Sequence, residues 1–373
     1  MADDQPNRLV ELARMFTRLG VTAFGGPAAH IAMMHREVVE QRQWMTNDQF
    51  VDLIGATNLI PGPNSTEMTM HVGHHRAGWR GLILAGASFI LPAAIMVAAL
   101  SVAYVEYGTT PTGEALLDGI KPVVAAIVAT AVARLGLSTL RSPLPIIVAV
   151  VAATTYLTGF NEIAILFGGA AVVFLARQSR LPRVNPSLIA PPLAVEAATA
   201  SGMDLGHLFA TFLKIGAVLY GSGYVLLAFL RADFVDRLGV LTDQQLLDAV
   251  AIGQFTPGPV FTTATFVGYL VAGFPGAVLA TIAIFAPGFV FVAALTRVLP
   301  HVRRWTWSAA LLDGVNASAI GLMAGVLVEL ADEALTGPVT VTLAVVSLVL
   351  LLRTRLNSAW LILAGGAAGL LLG

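Results

Sequence analysis

Apolar residues are gathered in long blocks along this chain rather than in stripes. The stretches from Leu82 to Val105 and from Val339 to Leu352 hold no charged residue. Helices built from them are apolar around their whole circumference and need a solvent that accepts such a surface. Ten runs are long enough, or nearly so, to cross a hydrocarbon core as helices: 9–34, 79–105, 114–137, 144–160, 162–176, 207–230, 274–299, 309–330, 339–353 and 356–372. Several are short and would cross with little tilt. The pattern predicts an all-α polytopic membrane protein.

The blocks recur. Phe16, Gly20, Gly25, Thr46, Gln49 and Asp52 reappear as Phe212, Gly216, Gly221, Thr242, Gln245 and Asp248, an offset of 212 − 16 = 196. The match runs on from Pro61-Gly62-Pro63 to Pro257-Gly258-Pro259, then holds at 268 − 73 = 195 from Gly73/Gly268 through Pro92/Pro287, Asp118/Asp313 and Pro143/Pro338. Self-similarity over this span is the mark of a duplicated unit. It divides the chain into a first repeat over 1–176, a linker over 177–204 and a second repeat over 205–373, with five runs in each repeat. The linker is rich in Pro and Arg and breaks the hydrophobic pattern at Arg177, Arg180 and Arg183. Between the first and second run of each repeat, Thr46-Asn47-Asp48-Gln49 and Thr242-Asp243-Gln244-Gln245 have the capping-box spacing that starts a helix. Each of those helices then breaks at Pro-Gly-Pro. Two short arms hinged on such a triplet predict a re-entrant hairpin, tolerated in a membrane only where protein or a polar cavity surrounds its tip.

Basic residues in the short loops alternate between the repeats. Arg76 and Arg80 follow the first hairpin and none follows the second, whereas Arg303 and Arg304 follow the next span of the second repeat and none that of the first. One span later Arg141 stands opposite Asp332 and Glu333, and Arg353 and Arg355 have no basic counterpart near Asn161. With the linker cytoplasmic, this bias predicts inverted topology: five plus five spans, two hairpins entering from opposite faces, and both termini outside. Inverted repeats place a binding site near the bilayer midplane, where broken helices of both halves meet. The opening Met1-Ala2-Asp3-Asp4 is acidic and no small-residue cleavage site follows, so no removable signal peptide is expected.

Composition narrows the function. The chain of 373 residues is 57% hydrophobic and 12% charged, the latter about half of a soluble domain's share. Its 21 Lys+Arg and 22 Asp+Glu leave a net charge of −1, with no basic stripe for a nucleic acid. Partners are therefore lipid, ions and small solutes. The absence of cysteine excludes disulfides, thiolate metal sites and cysteine nucleophiles. No phosphate loop for ATP is present, and no cofactor is expected.

The candidate chemistry lies at the breaks. Asn64, Ser65 and Thr66 follow the first triplet, Thr262 and Thr263 the second, and helix N-termini with free N–H groups and hydroxyls attract anions. Gly25-Gly26-Pro27 and Gly221-Ser222-Gly223 are either second breaks or small-residue packing surfaces. The chain has two lysines, Lys121 and Lys214, both in apolar runs, and the repeat pairs Lys214 with Arg18. Each of that pair is about ten residues into its run, on the order of 15 Å from the end. A charge at depth costs roughly 2.5 to 3.5 kcal/mol, so an anion-attracting role competes with a buried ion pair. Carboxylates able to carry a proton are Glu67, Asp118 and Asp313, with Glu329, Asp52 and Asp248 as further acids in or near the runs. Asp118 is three residues from Lys121, which also suits an internal ion pair, and Glu67 faces Thr263 in the repeat. His71, His74 and His75 have histidine-box spacing, but a metal enzyme needs several boxes, so they read as interfacial residues beside Arg76 and Arg80.

The segments Phe24-Gly25-Gly26-Pro27, Asn58-Leu59-Ile60-Pro61-Gly62-Pro63-Asn64-Ser65-Thr66-Glu67, Gly78-Trp79-Arg80-Gly81 and Phe89-Ile90-Leu91-Pro92 resemble the long, two-domain chromate ion transporter family. The second repeat carries the pattern again as Phe255-Thr256-Pro257-Gly258-Pro259 and Phe285-Ala286-Pro287-Gly288. The resemblance implies a carrier of the inner membrane that exports chromate from the cytoplasm at the expense of the proton motive force. A dianionic oxyanion would sit between the hairpin tips, held by helix N-termini, hydroxyls and the charges of Arg18 and Lys214, with rocking of the repeats alternating access. A sulfate or other oxyanion carrier and a passive anion channel share this architecture, and a homodimer is one possible assembly.

Overall fold

The computed structural model describes residues 5–178, 203–220, 223–302, 306–354 and 356–372. Most of the expected linker, and Gly221 and Ser222 of the expected binding set, lie outside them. Among the described residues all regular elements are helical. The first half runs α1 (Gln5–Thr22), α2 (Gly26–His35), a π-helical turn (Arg36–Gln41), α3 (Asn47–Thr57), α4 (Asn64–Tyr107), α5 (Pro111–Thr139), α6 (Pro143–Leu157) and α7 (Glu162–Gln178). The second runs α8 (Leu205–Val218), α9 (Leu226–Leu230), a π-helical turn (Arg231–Arg237), α10 (Asp243–Phe255), α11 (Thr263–Val302), α12 (Thr306–Ala334), α13 (Pro338–Arg353) and α14 (Ser358–Leu372). The same order thus appears twice, down to the π-helical turns.

Four segments, 64–107, 111–139, 260–297 and 309–334, have the length and hydropathy to cross a membrane, and four shorter helices are also apolar. On α4, Ile83, Leu91, Ile95 and Val102 are exposed while Ala85, Phe89, Ala93 and Val97 are buried. Side chains of one chemistry on both faces mark a helix with protein on one side and lipid on the other. The chain is a polytopic membrane protein.

Two of the expected single spans are divided. The run 9–34 splits between α1 and α2 at Gly25 (φ 103°) and Gly26 (φ 74°), and the run 207–230 splits after Val218. Two others gain an arm. Both α4 and α11 leave helical geometry at Ala77-Gly78 and Ala272-Gly273 and fold back on themselves. Gly73 faces the carbonyl of Gly81, and Gly268 that of Gly276, so closely that a Cβ at any of the four would collide with backbone. A Thr265–Thr281 hydroxyl bond of 2.7 Å ties the second pair of arms. Gly73→Leu must push the arms apart, at an expected cost of about 1–3 kcal/mol. Thermal unfolding in detergent should show it, with Gly55→Ala, which meets nothing within 4 Å, as the neutral comparison.

The halves interlock. Helix α12 packs on α5, α6 and α7, while α5 packs on α13 and α14, and α4 lies along α11. One large apolar cluster therefore joins α5, α6 and α7 to the second half, including Val124, Leu166, Phe212, Phe266 and Met323. Helices α1 to α3 pack instead with α4 around a separate core of Leu12, Phe16, Met34, Phe50, Met68 and Phe89.

Candidate functional site

Each hairpin tip is built from local rules. Thr46 and Gln49 close a capping box at the start of α3, Thr242 and Gln245 one at the start of α10. The helices end before the Pro-Gly-Pro triplets, whose central glycines have φ of 134° at Gly62 and 97° at Gly258, a region glycine enters at no steric cost. The prolines on either side lack N–H groups, so the glycine N–H is the triplet's only donor. Gly62 N–H donates to Leu219 O at 2.8 Å, and Gly258 N–H to Ala23 O at 2.9 Å. Ala23 and Leu219 are themselves repeat partners, 219 − 23 = 196, at the breaks after α1 and α8. Each tip is thus pinned to the broken helix of the opposite half, and four chain breaks meet at the junction.

Glu67, one turn into α4, lies at this junction. Its side chain is 0% exposed, and neither carboxylate oxygen has a hydrogen-bond partner. The carboxyl group lies beneath Gly62 of its own tip and beside Gly288 of α11, where a Cβ would stand 3.8 Å from Oε1. An ionised carboxylate held this way is expensive, and the neutral acid is far cheaper. The neighbouring Thr66 hydroxyl is buried and unpartnered too. Ser65 is buried, while Thr262 and Thr263 donate to the carbonyls of Pro259 and Val260 at 2.8 Å each. Asn64 donates to Asn58 Oδ1 at 2.7 Å.

The two deep cations carry partners that sequence reasoning missed. Arg18 is ion-paired with Glu37, and Lys214 with Asp233 at 2.6 Å. The partners are repeat equivalents, since 233 − 37 = 214 − 18 = 196; a charge of each sign kept at the common offset was the available signal. Each carboxylate has a second cation, Arg42 at 3.3 Å from Glu37 and Arg237 at 2.6 Å from Asp233. The environments differ: the Arg18 side chain is 53% exposed, whereas Lys214 is 18% exposed and also faces Glu162 of α7 at 3.9 Å. Neither cation stands free, and Arg18 and Lys214 belong to separate clusters.

The other candidate acids are paired. Asp118 binds Lys121 at 2.6 Å, and Asp313 binds Arg177 at 2.5 Å, joining α12 to the end of α7. Asp248 is 0% exposed and accepts from Tyr104 at 2.8 Å, while its other oxygen is unpartnered. Glu329 is held by Arg231 at 2.6 Å. His71 is buried in α4 and His74 meets Trp79 edge-on; among the described residues no three acidic or histidine side chains group as metal ligands.

Comparison with known proteins bears on what this junction belongs to. The chain matches the chromate transporter family over residues 10–174 and again over 206–370. It is 34% identical over 369 residues to the chromate transport protein of Cupriavidus metallidurans, covering 96% of this chain and 92% of that one. It is 33% identical over 350 residues to a probable chromate transport protein of Synechococcus elongatus, covering 91% and 89%. It is 32% identical over 386 residues to the chromate transport protein of Pseudomonas aeruginosa, covering 98% and 92%. No solved structure matches the chain. Two family matches, one in each half and each containing a Pro-Gly-Pro tip, place this protein in the chromate transporter family, a family of membrane transporters and not of enzymes.

Proposed function

We propose that the protein is a secondary active carrier that exports chromate across the inner membrane, driven by the proton motive force. The observation that carries the reading is Glu67: a wholly buried, unpartnered carboxyl group at the point where both tips and both broken helices meet. Such a group binds and releases a proton only when the junction opens, which couples proton movement to a change of access. In this reading residues 1–176 and 205–373 are inverted-topology repeats joined by a cytoplasmic linker, and α3 and α10 with the arms that follow are re-entrant hairpins. The oxyanion passes the N-terminal ends after Pro61-Gly62-Pro63 and Pro257-Gly258-Pro259, and Asp118 and Asp313, already paired, act as structure.

A difference between the halves supports alternating access. Helix α10 is packed on α5, α11, α12 and α14, and its Asp248 is buried; the equivalent Asp52 on α3 is exposed, and α3 packs on α2, α4 and α11. One hairpin is closed in and the other open, the asymmetry expected of repeats that exchange conformations. Arg18 and Lys214 supply the positive field along the path. Arg18→Ala and Lys214→Ala leave Glu37 and Asp233 with Arg42 and Arg237, so both variants are expected to remain folded in the membrane and to lose transport; normal chromate transport by both would remove the cations from the path.

The deciding experiment is chromate accumulation in inside-out vesicles with and without an imposed proton gradient, with sulfate as competitor. Gradient-dependent accumulation above the external level is expected. Mere equilibration would indicate a channel, and accumulation of sulfate without chromate another oxyanion carrier.

A further inference from the structure

Beside the first tip lies a cavity of about 210 Å³. Four polar side chains line it: Asn58 at the end of α3, Asn64 in the first turn of α4, Thr139 in the last turn of α5 and Asn316 on α12. No Asp, Glu, Lys or Arg is among its lining residues. We propose that this cavity is where the transported tetrahedral oxyanion rests, bound through neutral amide and hydroxyl donors, and that the second tip has no equivalent site. The proposal rests on the carrier reading and names the groups that hold its substrate.

The donors are available. The Asn64–Asn58 bond uses one N–H of Asn64 and an acceptor of Asn58, which leaves one amide N–H on Asn64 and two on Asn58 for a ligand. Asn316 makes no hydrogen bond among the described residues. Asn64 also sits where α4 presents free backbone N–H groups and the positive end of its dipole. The volume equals about seven waters at about 30 Å³ each, room for a tetrahedral anion with part of its hydration. With no carboxylate in the wall, a dianion is not repelled. With no fixed cation, it is not trapped, and a transported ion must be able to leave.

The second tip keeps only one of these donors. The repeat equivalents of Asn58, Asn64, Thr139 and Asn316 are Gln254, Val260, Ala334 and Lys121 (58 + 196, 64 + 196, 139 + 195, 316 − 195). Val260 and Ala334 offer no side-chain donor and the Lys121 ammonium is bound to Asp118; Gln254 accepts from Tyr224 through Oε1 at 3.4 Å and keeps a buried, unpartnered amide Nε2, the one free side-chain donor of the four. Lys121 is thus paired where Asn316 makes no hydrogen bond among the described residues.

The test is equilibrium binding of chromate, and separately of sulfate, to the purified full-length protein in detergent. Asn316→Ala is expected to weaken binding about tenfold or more, the loss of one hydrogen bond to a charged ligand, and Asn316→Asp to abolish it. Asn316→Ser, which keeps a donor, should recover part of the loss, and Thr139→Val gives an independent second reading. Gln254→Ala should bind within about twofold of wild type. If wild type binds while Asn316→Ala, Asn58→Ala and Thr139→Val bind equally well, this site is wrong and the carrier reading stands. If Gln254→Ala loses as much as Asn316→Ala, the restriction to one tip is wrong. If wild type binds neither anion, this site and the carrier reading fall together.

Discussion

Glu67→Gln should abolish accumulation of chromate against its gradient while sparing exchange of chromate at equal concentrations on both sides. Glutamine has the shape of the neutral acid, so the packing beneath Gly62 and against Gly288 is retained and the fold should survive. What is lost is the ability to take up and release a proton. A carrier coupled through this group then still rocks with its substrate but cannot be driven, so the proton gradient ceases to matter. Counterflow and gradient-driven uptake measured side by side in the same vesicles separate the two. Gradient-driven uptake with unchanged pH dependence would exclude Glu67 as the proton carrier. Glu67→Ala is a poorer test, because it leaves a void at the point where four chain breaks meet.

The largest loss of stability is expected at Asp233. Its side chain is 2% exposed and holds Lys214 and Arg237, both at 2.6 Å. Asp233→Ala leaves a mostly buried ammonium with only the more distant Glu162, and breaking a buried pair from one side costs about 3–5 kcal/mol. The equivalent Glu37→Ala releases Arg18, which is half exposed, and should cost about 0–1 kcal/mol. Unfolding midpoints of the two variants in detergent check this directly. Equal losses would mean that the open and closed halves stabilise their pairs alike, contrary to the packing seen around α8 and α10.

Much of the architecture is legible without coordinates, because it depends on quantities that are local. The transfer cost of a 20-residue apolar run, the inability of Pro-Gly-Pro to hold a helix and the capping boxes at Thr46 and Thr242 depend on neighbours in the chain. The duplication is a property of the string of residues itself. From these came the helical membrane class and the tips. Hydrophobicity left open whether Gly25-Gly26 breaks the run 9–34 or packs against a neighbour, because it is blind to φ: both glycines sit in an apolar run yet turn the backbone into a left-handed region.

What each charge does was decided elsewhere. Arg18 and Lys214 look alike in sequence, yet one is half exposed and the other enclosed, because α7 of the first half brings Glu162 to Lys214. Asp313 lacks the lysine that Asp118 has three residues away and finds Arg177 instead, across the interlocked helices. Glu67 differs from both only because no donor reaches it. Asn316 and Thr139 join Asn58 and Asn64 around one cavity although more than 170 residues separate Thr139 from Asn316 (316 − 139 = 177). Which elements a chain can form follows from local backbone preference and from the solvent each run requires. Which charges meet, and which are left without a partner, follows from how distant helices pack, since burial and pairing are set by neighbours in space.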